Sequence, residues 1–468
     1  MQLTRRQFTK ALGTTMGCAA IPTKAWGYTP KALNLIASKS TNPIFIKEMP
    51  GALTNLWTFN QKSPGPMLRF NVGARVKVNL HNKLPQPTSV HWHGIRLKNS
   101  MDGVTGLTQS GVENGESYLY DFELPDAGTY WYHSHNKAWE QVARGLYGPL
   151  IVDASNDPKV DHDIVLLIDD WQLDNKGQIR ENSFGSLHDW AHAGRLGNWI
   201  TVNGKSNPLY SLKVNSRVRL RLINPANARI FNLNFTDVTP NIIALDGYPV
   251  TPFESATLTL GPAQRVDLII DLPENLPMFR LEIVTNTNPL TVVRFALDPN
   301  LGQGDGARNS EIILPKGPNP PEAGPTALRV PIHMQGGAMG NLKSAKLNGQ
   351  MISLRELAQK HRKVWAFNGR IGGHDYILAK ANLGRLVILD VQNDTRWSHA
   401  MHLHGHHFWV KSKSNPVEDS SSKRDTYLMK PNENAELIFV ADNPGLWLFH
   451  CHMLEHHAGG MGAVLEVV

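Results

Sequence analysis

The chain has 468 residues, of which 41% are hydrophobic and 19% are charged, and its formal net charge is +7. This length exceeds what one ordinary core needs, so we expect several domains. No apolar run reaches the roughly 18 residues of a membrane-spanning helix, and no basic cluster with interleaved aromatics indicates nucleic-acid binding.

Residues 1–27 predict an export signal. Arg5 and Arg6 precede a short apolar stretch, Ala11–Ile21, which is followed by a small-x-small site at 25–27. The paired arginines resemble those of twin-arginine signals. We therefore expect passage through the twin-arginine export machinery and a periplasmic or extracellular location. Removal of the signal lowers the formal charge from +7 to +3.

Short segments that alternate apolar and polar residues recur along the chain. Arg75–Leu80 and Arg217–Leu222 are two of them, and Arg385–Leu389 is a third that is almost continuously apolar. Together with 39 glycines and 30 prolines, this pattern predicts an all-β protein built from β-sandwiches. Helical periodicity is weak outside Ile352–Arg362.

The composition also indicates where domains meet. A segment rich in proline and glycine, 301–330, is typical of an interdomain linker, and a softer boundary falls at 153–161. We therefore expect domains at 28–155, 156–300 and 331–468.

Two sequence patterns of the first third return in the last third, in the same order. This repetition indicates two copies of one β-domain, with a related middle copy that lacks paired histidines. The matching segments are His91-Trp92-His93-Gly94 with His402-Leu403-His404-Gly405, and His133-Ser134-His135 with His450-Cys451-His452.

Histidines two apart on a strand share a face, so each His-x-His pair can offer two imidazoles to one site. Neutral imidazole suits copper and zinc. Eight imidazoles from two domains can converge on a shared interface and bind several metal ions. These eight are His91, His93, His133, His135, His402, His404, His450 and His452.

Cys451 distinguishes this pattern from a zinc cluster. It lies between His450 and His452 and must face away from them. The only other cysteine, Cys18, lies in the predicted signal, so no internal disulfide is expected. Two imidazoles, a thiolate and a weak thioether form a blue-copper electron-transfer set. Here that set is His399, Cys451, His456 and Met461.

The repeat supplies an internal comparison. When its two copies are aligned, the first copy has non-ligand residues at all four blue-copper positions. The first domain is therefore predicted to serve the histidine cluster alone, and the last domain to serve both sites. The residues opposite His399, Cys451, His456 and Met461 are Thr88, Ser134, Trp139 and, with a small gap, Tyr147.

These motifs resemble the four signatures of multicopper oxidases, and the chain looks most like the bacterial three-domain laccases. The resemblance covers the ends of the chain in detail and its three-part layout overall. It implies three cupredoxin-like Greek-key β-sandwich domains and four coppers per chain, one of type 1, one of type 2 and two of type 3.

The resemblance also implies a division of ligands. His91 and His402 would hold the type 2 copper. One type 3 copper would be held by His93, His133 and His452, and the other by His135, His404 and His450.

Three residues take catalytic roles by the same resemblance. Cys451 and His456 would carry electrons, with the substrate near an exposed edge of His456, and Asp102 would donate protons. Asp102 precedes Gly103, so a turn residue is the alternative. Where many bacterial relatives have glutamate, this chain has His457, which can relay protons but does not carry the same fixed charge.

The predicted function is laccase-like, with one-electron oxidation of a phenolic or similar reductant coupled to four-electron reduction of O₂ to water. A cuprous or manganese ion oxidase is an alternative, although no methionine-rich segment occurs. A copper-free cell-division scaffold is disfavoured because all expected ligands are present. Histidines outside the motifs are interpreted as solvated or structural: His188, His192, His406 and His407.

Overall fold

The computed structural model describes residues 32–44, 53–314, 317, 319–322, 324–412 and 422–468. The predicted export signal at 1–27 lies outside the described residues. Among the helices of the described part, none is long and apolar enough to cross a lipid bilayer.

The first stretch of chain forms two four-stranded sheets. In β4 the residues alternate between exposed and buried, so that Val76, Val78 and Leu80 point into the core, as the sequence predicted. One sheet has the order β2 (Thr54–Phe59), β1 (Leu33–Asn42), β4 (Arg75–Asn82) and β6 (Ser117–Glu123). The other has the order β3 (Leu68–Asn71), β8 (Tyr147–Asp153), β7 (Gly128–His133) and β5 (His91–His93).

The middle stretch forms a six-stranded and a five-stranded sheet. The six-stranded sheet has the order β10 (Trp199–Val202), β9 (His162–Trp171), β12 (Arg217–Ile223), β17 (Arg265–Asp271), β14 (Asn241–Leu245) and β15 (Tyr248–Glu254). The other has the order β11 (Leu209–Leu212), β19 (Leu290–Leu297), β18 (Met278–Ile283), β13 (Phe231–Thr236) and β16 (Thr257–Leu260).

Strand β12 shows how the first two pairs of sheets meet. Its apolar residues face their own core, but its arginines are buried as well. Arg221 binds Asp163 at 2.7 Å and the hydroxyl of Thr129, on β7, at 3.1 Å. The polar face of this alternating strand is therefore an ion-paired interface and not a solvent-facing surface.

The last stretch forms two sheets and a hairpin. The six-stranded sheet has the order β23 (Trp365–Phe367), β20 (Leu328–Gly336), β25 (Leu386–Asn393), β30 (Asn434–Val440), β27 (Phe408–Ser412) and β28 (Lys423–Arg424). The five-stranded sheet has the order β24 (Ile377–Ala381), β32 (Gly462–Val467), β31 (Gly445–Cys451), β26 (His399–Leu403) and β29 (Thr426–Met429). The hairpin pairs β21 (Ser344–Leu347) with β22 (Gln350–Ser353).

Helices are short and few in the described chain. The weak helical signal at Ile352–Arg362 corresponds to α3 and the π-helical turn Leu357–His361 that continues it. The α-helices are α1 (Ala138–Gln141), α2 (Leu187–Ala191), α3 (Leu354–Glu356) and α4 (Leu454–Ala458). The 3₁₀ turns are Asn99–Met101, Glu181–Ser183, Pro299–Leu301 and Ala307–Asn309.

The predicted all-β sandwich architecture is confirmed. The predicted boundary at 153–161 falls between β8 and β9, and most of the predicted linker lies between β19 and β20. Residues 328–330, at the end of that linker, belong to β20.

Candidate metal centre

The internal repeat is visible in the strand pairing. In the first stretch β5 and β7 are antiparallel and place His91 opposite His133. In the last stretch β26 and β31 are antiparallel and place His402 opposite His450. The two copies therefore present their histidines from equivalent pairs of strands.

All eight paired histidines are buried and converge where the first and last stretches meet. The Nε2 atoms of His404 and His450 lie 3.1 Å apart, and those of His452 and His133 lie 3.3 Å apart. The rings of His91 and His404 stack with centroids 3.9 Å apart. Donor atoms this close form the overlapping groups of three that metal ions require.

The hydrogen bonds of these imidazoles leave their other nitrogen turned towards the cluster. A carbonyl oxygen can only accept, so Nδ1 must donate in the bonds of His91 to Asp102 at 2.9 Å and of His402 to the Asp425 carbonyl at 2.8 Å. His133 and His450 likewise bond carbonyl oxygens through Nδ1. This is the arrangement that orients imidazole ligands on a metal ion.

Some of the nitrogens that face the cluster have no protein partner. Nε2 of His91, Nε2 of His402 and Nδ1 of His93 are buried without a hydrogen bond. A buried polar atom left unsatisfied costs about 1–3 kcal/mol, so this set is incomplete as protein alone. The residues present therefore fit a bound metal cluster.

Electrostatics favour the neutral imidazole that copper needs. Burial, followed by the neighbouring imidazoles, lowers the pKa of His402 and His404 well below the usual value. Burial also lowers the pKa of His450 to about 3. Neutral rings keep a lone pair available for a metal ion at ordinary pH.

A second site lies on the other face of β31. The Sγ atom of Cys451 is 3.6 Å from Nδ1 of His399 and 3.8 Å from Nδ1 of His456, and these two nitrogens are 3.0 Å apart. Nε2 of His399 is bonded to the hydroxyl of Thr395 at 2.9 Å, which leaves Nδ1 turned to the sulfur. Burial raises the pKa of the Cys451 thiol to about 12, so a bound cation is needed to keep a thiolate here.

Met461 lies beside this second site. It is buried, its carbonyl accepts from the amide of Cys451 at 3.1 Å, and its amide donates to the carbonyl of His456 at 3.0 Å. The backbone thus ties Met461 to two of the residues predicted to share its metal ion.

Asp102 contacts the histidine cluster from the 3₁₀ turn at Asn99–Met101. Its carboxylate lies 2.9 Å from Nδ1 of His404 and 3.2 Å from Nδ1 of His91. Gly103 follows with φ +80°, and a Cβ there would meet the Val90 carbonyl at 1.8 Å. Asp102 is therefore both the turn residue and a direct partner of two cluster histidines.

Asp425 is a buried residue that the sequence analysis missed. Its carboxylate lies 3.1 Å from Nε2 of His93 and forms a bidentate ion pair with the buried Arg265, at 2.7 and 2.6 Å. It precedes β29, which pairs with β26. No motif marks it, because its partners lie far away in the sequence.

The prediction of an exposed edge on His456 is wrong. The His456 side chain is 0% exposed, and its Nε2 donates a 2.6 Å hydrogen bond to the carbonyl of His192. The segment between β9 and β10, which carries α2, provides this carbonyl and covers the ring. The indole of Trp365 packs on the ring of His456 at 4.4 Å and was also missed.

The histidines outside the motifs take different places. His188 has a side chain 75% exposed and stacks on the half-buried His192 at 4.1 Å, which agrees with the solvated face expected for His188. His407 donates from Nε2 to the Gly94 carbonyl at 2.7 Å and accepts at Nδ1 from the Tyr248 hydroxyl at 2.9 Å, so its role is structural. His457 lies beside the cluster, with its ring 4.3 Å from that of His450.

Family models described as multicopper oxidase match this chain in three places, at residues 46–157, 162–289 and 347–468. Together these matches span most of the chain and follow its three pairs of sheets.

Similar proteins include the multicopper oxidase MmcO of Mycobacterium tuberculosis, 28% identical over 460 residues, covering 90% of this chain and 85% of that protein. A multicopper oxidase structure from Pseudomonas thermotolerans is 30% identical, with a TM-score of 0.79, covering 94% of this chain and 99% of that one. A Campylobacter jejuni multicopper oxidase described as a metallo-oxidase is 28% identical, with a TM-score of 0.76, covering 93% and 90%. The cupredoxin-like fold is thereby confirmed, and this chain belongs to the multicopper oxidase family.

Proposed function

We propose that this chain is a laccase-like oxidase, which couples one-electron oxidation of a phenolic or similar reductant to four-electron reduction of O₂ to water. One observation carries the proposal. The tripeptide His450-Cys451-His452 presents its sulfur to one candidate site and both of its imidazoles to the other. A donor electron received on one side of β31 therefore has a short covalent path to the O₂ side.

Copper is the cofactor of this family, four per chain. We propose that His399, Cys451, His456 and Met461 would hold the type 1 copper, and that His91 and His402 would hold the type 2 copper. We assign one type 3 site to His93, His133 and His452, and the other to His135, His404 and His450. When bound, copper supplies reversible one-electron chemistry at the first site and O₂ reduction at the second.

The residues of the chain orient the imidazole ligands, exclude bulk water and deliver protons. Carbonyl oxygens and Thr395 fix the imidazole tautomers, and burial keeps bulk water away from both sites. We propose that Asp102 delivers protons to the reduced oxygen, because its carboxylate contacts His404 and His91 directly. Making two waters consumes four protons, so a carboxyl group at this position has a chemical task.

A metal-ion oxidase is the second candidate, supported by the name of the Campylobacter jejuni relative. Among the described residues, each group of three His, Cys, Asp or Glu ligands close enough to share an ion lies in the two sites above. The described part of the chain thus shows no further preformed site of this kind for a cuprous or manganous substrate. The copper-free scaffold is disfavoured by the unsatisfied nitrogens of the cluster.

We also propose export through the twin-arginine route to the periplasm or beyond, carried by Arg5 and Arg6. Fractionation of cells that express the full chain tests this. Replacement of both arginines by lysine should retain the protein in the cytoplasm, and unchanged export would contradict the assignment.

The function is tested by a comparison of donors. Copper-loaded protein is mixed with a methoxyphenol, with Cu(I), or with Mn(II), and initial O₂ uptake is recorded for each. Faster uptake with the phenol supports the laccase-like reaction. Uptake with a metal ion and none with the phenol would establish the second candidate instead.

A further inference from the structure

The His456 ring is covered by the segment between β9 and β10, so a donor must give up its electron at another point on the surface. Neither His456 nor His399 is exposed, so a dissolved molecule cannot touch either imidazole. His456 donates a hydrogen bond to the His192 carbonyl, so the His192 peptide connects the buried imidazole to the segment that covers it.

Trp397 is linked to both imidazoles. Its ring packs edge-to-face on the ring of His192, with centroids 5.4 Å apart, and the His192 carbonyl is bonded to His456. Its own carbonyl accepts a hydrogen bond from Thr395 at 3.1 Å, and the same hydroxyl is 2.9 Å from Nε2 of His399. An electron that reaches Trp397 therefore has two short routes to the proposed type 1 ligands, one through the hydrogen bonds of Thr395 and one across the ring contact with His192.

A cleft of about 300 Å³ lies against Trp397. Its volume lies at the lower end of the range of small-molecule sites and suits one aromatic ring with its substituents. The peptide that carries the His192 carbonyl ends in this cleft, since Ala193 is part of the wall. The apolar lining residues include Ala193, Leu196, Ala228, Ile230, Trp397 and Met453.

Two arginines also line the cleft, and they differ in their partners. The guanidinium of Arg229 is bound to Asp170 at 2.7 Å and to the Gly197 carbonyl at 2.6 Å. Arg396 is exposed and forms no ion pair with the described residues. The cleft therefore offers an apolar wall, one aromatic face and one unneutralised cation.

We propose that this cleft binds a phenol bearing an acidic substituent, with its ring on Trp397 and its anion at Arg396. This rests on the proposed laccase-like function and names the donor class. In each event the phenol loses one electron and its hydroxyl proton and becomes a phenoxyl radical. The proton passes to water at the cleft mouth, and the electron leaves through Trp397. Four events supply the electrons that reduce one O₂ to two waters.

The charge of the donor is tested with 4-hydroxy-3-methoxycinnamate and its methyl ester, which share the same oxidisable ring. In the parent protein the KM should be lower for the acid. Arg396→Gln should raise the KM of the acid about threefold and leave that of the ester unchanged. Arg355→Gln, at another exposed arginine, is the matched control and should change neither.

Binding is measured separately from turnover. Calorimetric titration of the copper-loaded protein with 3,4-dimethoxycinnamate, which lacks the oxidisable hydroxyl, should show a weaker Kd for Arg396→Gln by a similar factor. An equal Kd in both proteins overturns the proposal.

The role of Trp397 is tested by anaerobic stopped-flow reduction with the same two phenols. Trp397→Leu should slow bleaching of the blue colour at least about fivefold with both donors, while reoxidation of the reduced protein by O₂ stays unchanged. Trp199→Leu, at another half-buried indole, controls for general loosening. Unchanged bleaching in a folded Trp397→Leu protein contradicts the assignment.

Different results would contradict the cleft assignment and the laccase-like function. If the parent protein oxidises both phenols without preference and Arg396→Gln changes nothing, the cleft assignment falls and the laccase-like function stands. If the parent oxidises neither phenol but consumes O₂ with a metal ion, both fall.

Discussion

The hydroxyl groups of Thr88 and Ser134 lie 3.2 Å apart in the first pair of sheets, at the place that His399 and Cys451 occupy in the last. The amide oxygen of Gln141 lies 2.8 Å from the first hydroxyl and 2.6 Å from the second. A small hydrogen-bonded group of neutral residues thus fills, in one copy, the position that two of the proposed type 1 ligands take in the other.

This comparison predicts the effect of Cys451→Ser. The variant places at residue 451 the side chain that the first copy already has at Ser134, so the protein should fold. It should lose both the blue colour and phenol turnover, because a hydroxyl does not replace a thiolate as a copper ligand. Absorption spectra and O₂ uptake check this. Ser134→Ala should stay blue, and a blue Cys451→Ser protein would refute the ligand assignment.

Asp102→Asn should slow the reduction of O₂ and leave electron uptake from the phenol unchanged. The amide keeps the size of the carboxyl group but cannot cycle a proton, so steady-state O₂ uptake should fall about a hundredfold or more. The blue colour and its anaerobic bleaching by phenol should remain. Asp102→Glu should recover part of the turnover. Full turnover in Asp102→Asn would leave the residue with the turn role alone.

Asp425→Asn should destabilise the protein and its cluster. The change removes the bidentate carboxylate partner of the buried Arg265 and leaves it only the Asp246 carboxylate, 3.6 Å away. Breaking a buried pair costs roughly 3–5 kcal/mol. Thermal melting should shift downwards, and copper content should fall below four per chain. Glu356→Gln, which breaks an exposed pair with Lys360, should change neither measurement. An unchanged Tm for Asp425→Asn would contradict the role given to the pair.

The copper-free protein should be sensitive to acid. Burial lowers the pKa of histidines in both sites, including that of His450 to about 3 and that of His456 to about 4, whereas unfolded histidine titrates near 6.5. Between these values the unfolded chain binds more protons, so the free energy of unfolding should fall as pH drops below about 6.5. Each histidine contributes about 1.4 kcal/mol per pH unit. Chemical denaturation at several pH values measures this slope, and a flat profile would contradict it.

The sequence was sufficient to predict those residues whose spacing along a strand determines the face on which their side chains lie. His91 and His93 share a face because they alternate on a strand, and Cys451 faces away from its neighbours for the same reason. These relationships are local, so they can be predicted without the fold. The ligand pairs then follow from the repeat, which supplies a second copy for comparison.

The residues that the sequence did not reveal act through long-range contacts. Asp425 meets His93 across 332 positions, and the His192 carbonyl meets His456 across 264. Any residue type can supply a main-chain carbonyl, so the sequence does not mark the one that binds His456. A single aspartate likewise forms no repeating pattern in the sequence. The buried edge of His456 therefore became visible only when the segment between β9 and β10 was placed over it.

In the proposed function, phenol oxidation on one side of β31 drives complete reduction of O₂ on the other. The most direct measurement records phenoxyl formation, O₂ consumption and peroxide together, with the copper-loaded protein and a methoxyphenol. We expect four phenoxyl radicals per O₂ consumed and no peroxide. Two radicals per O₂, with peroxide as the product, would contradict it.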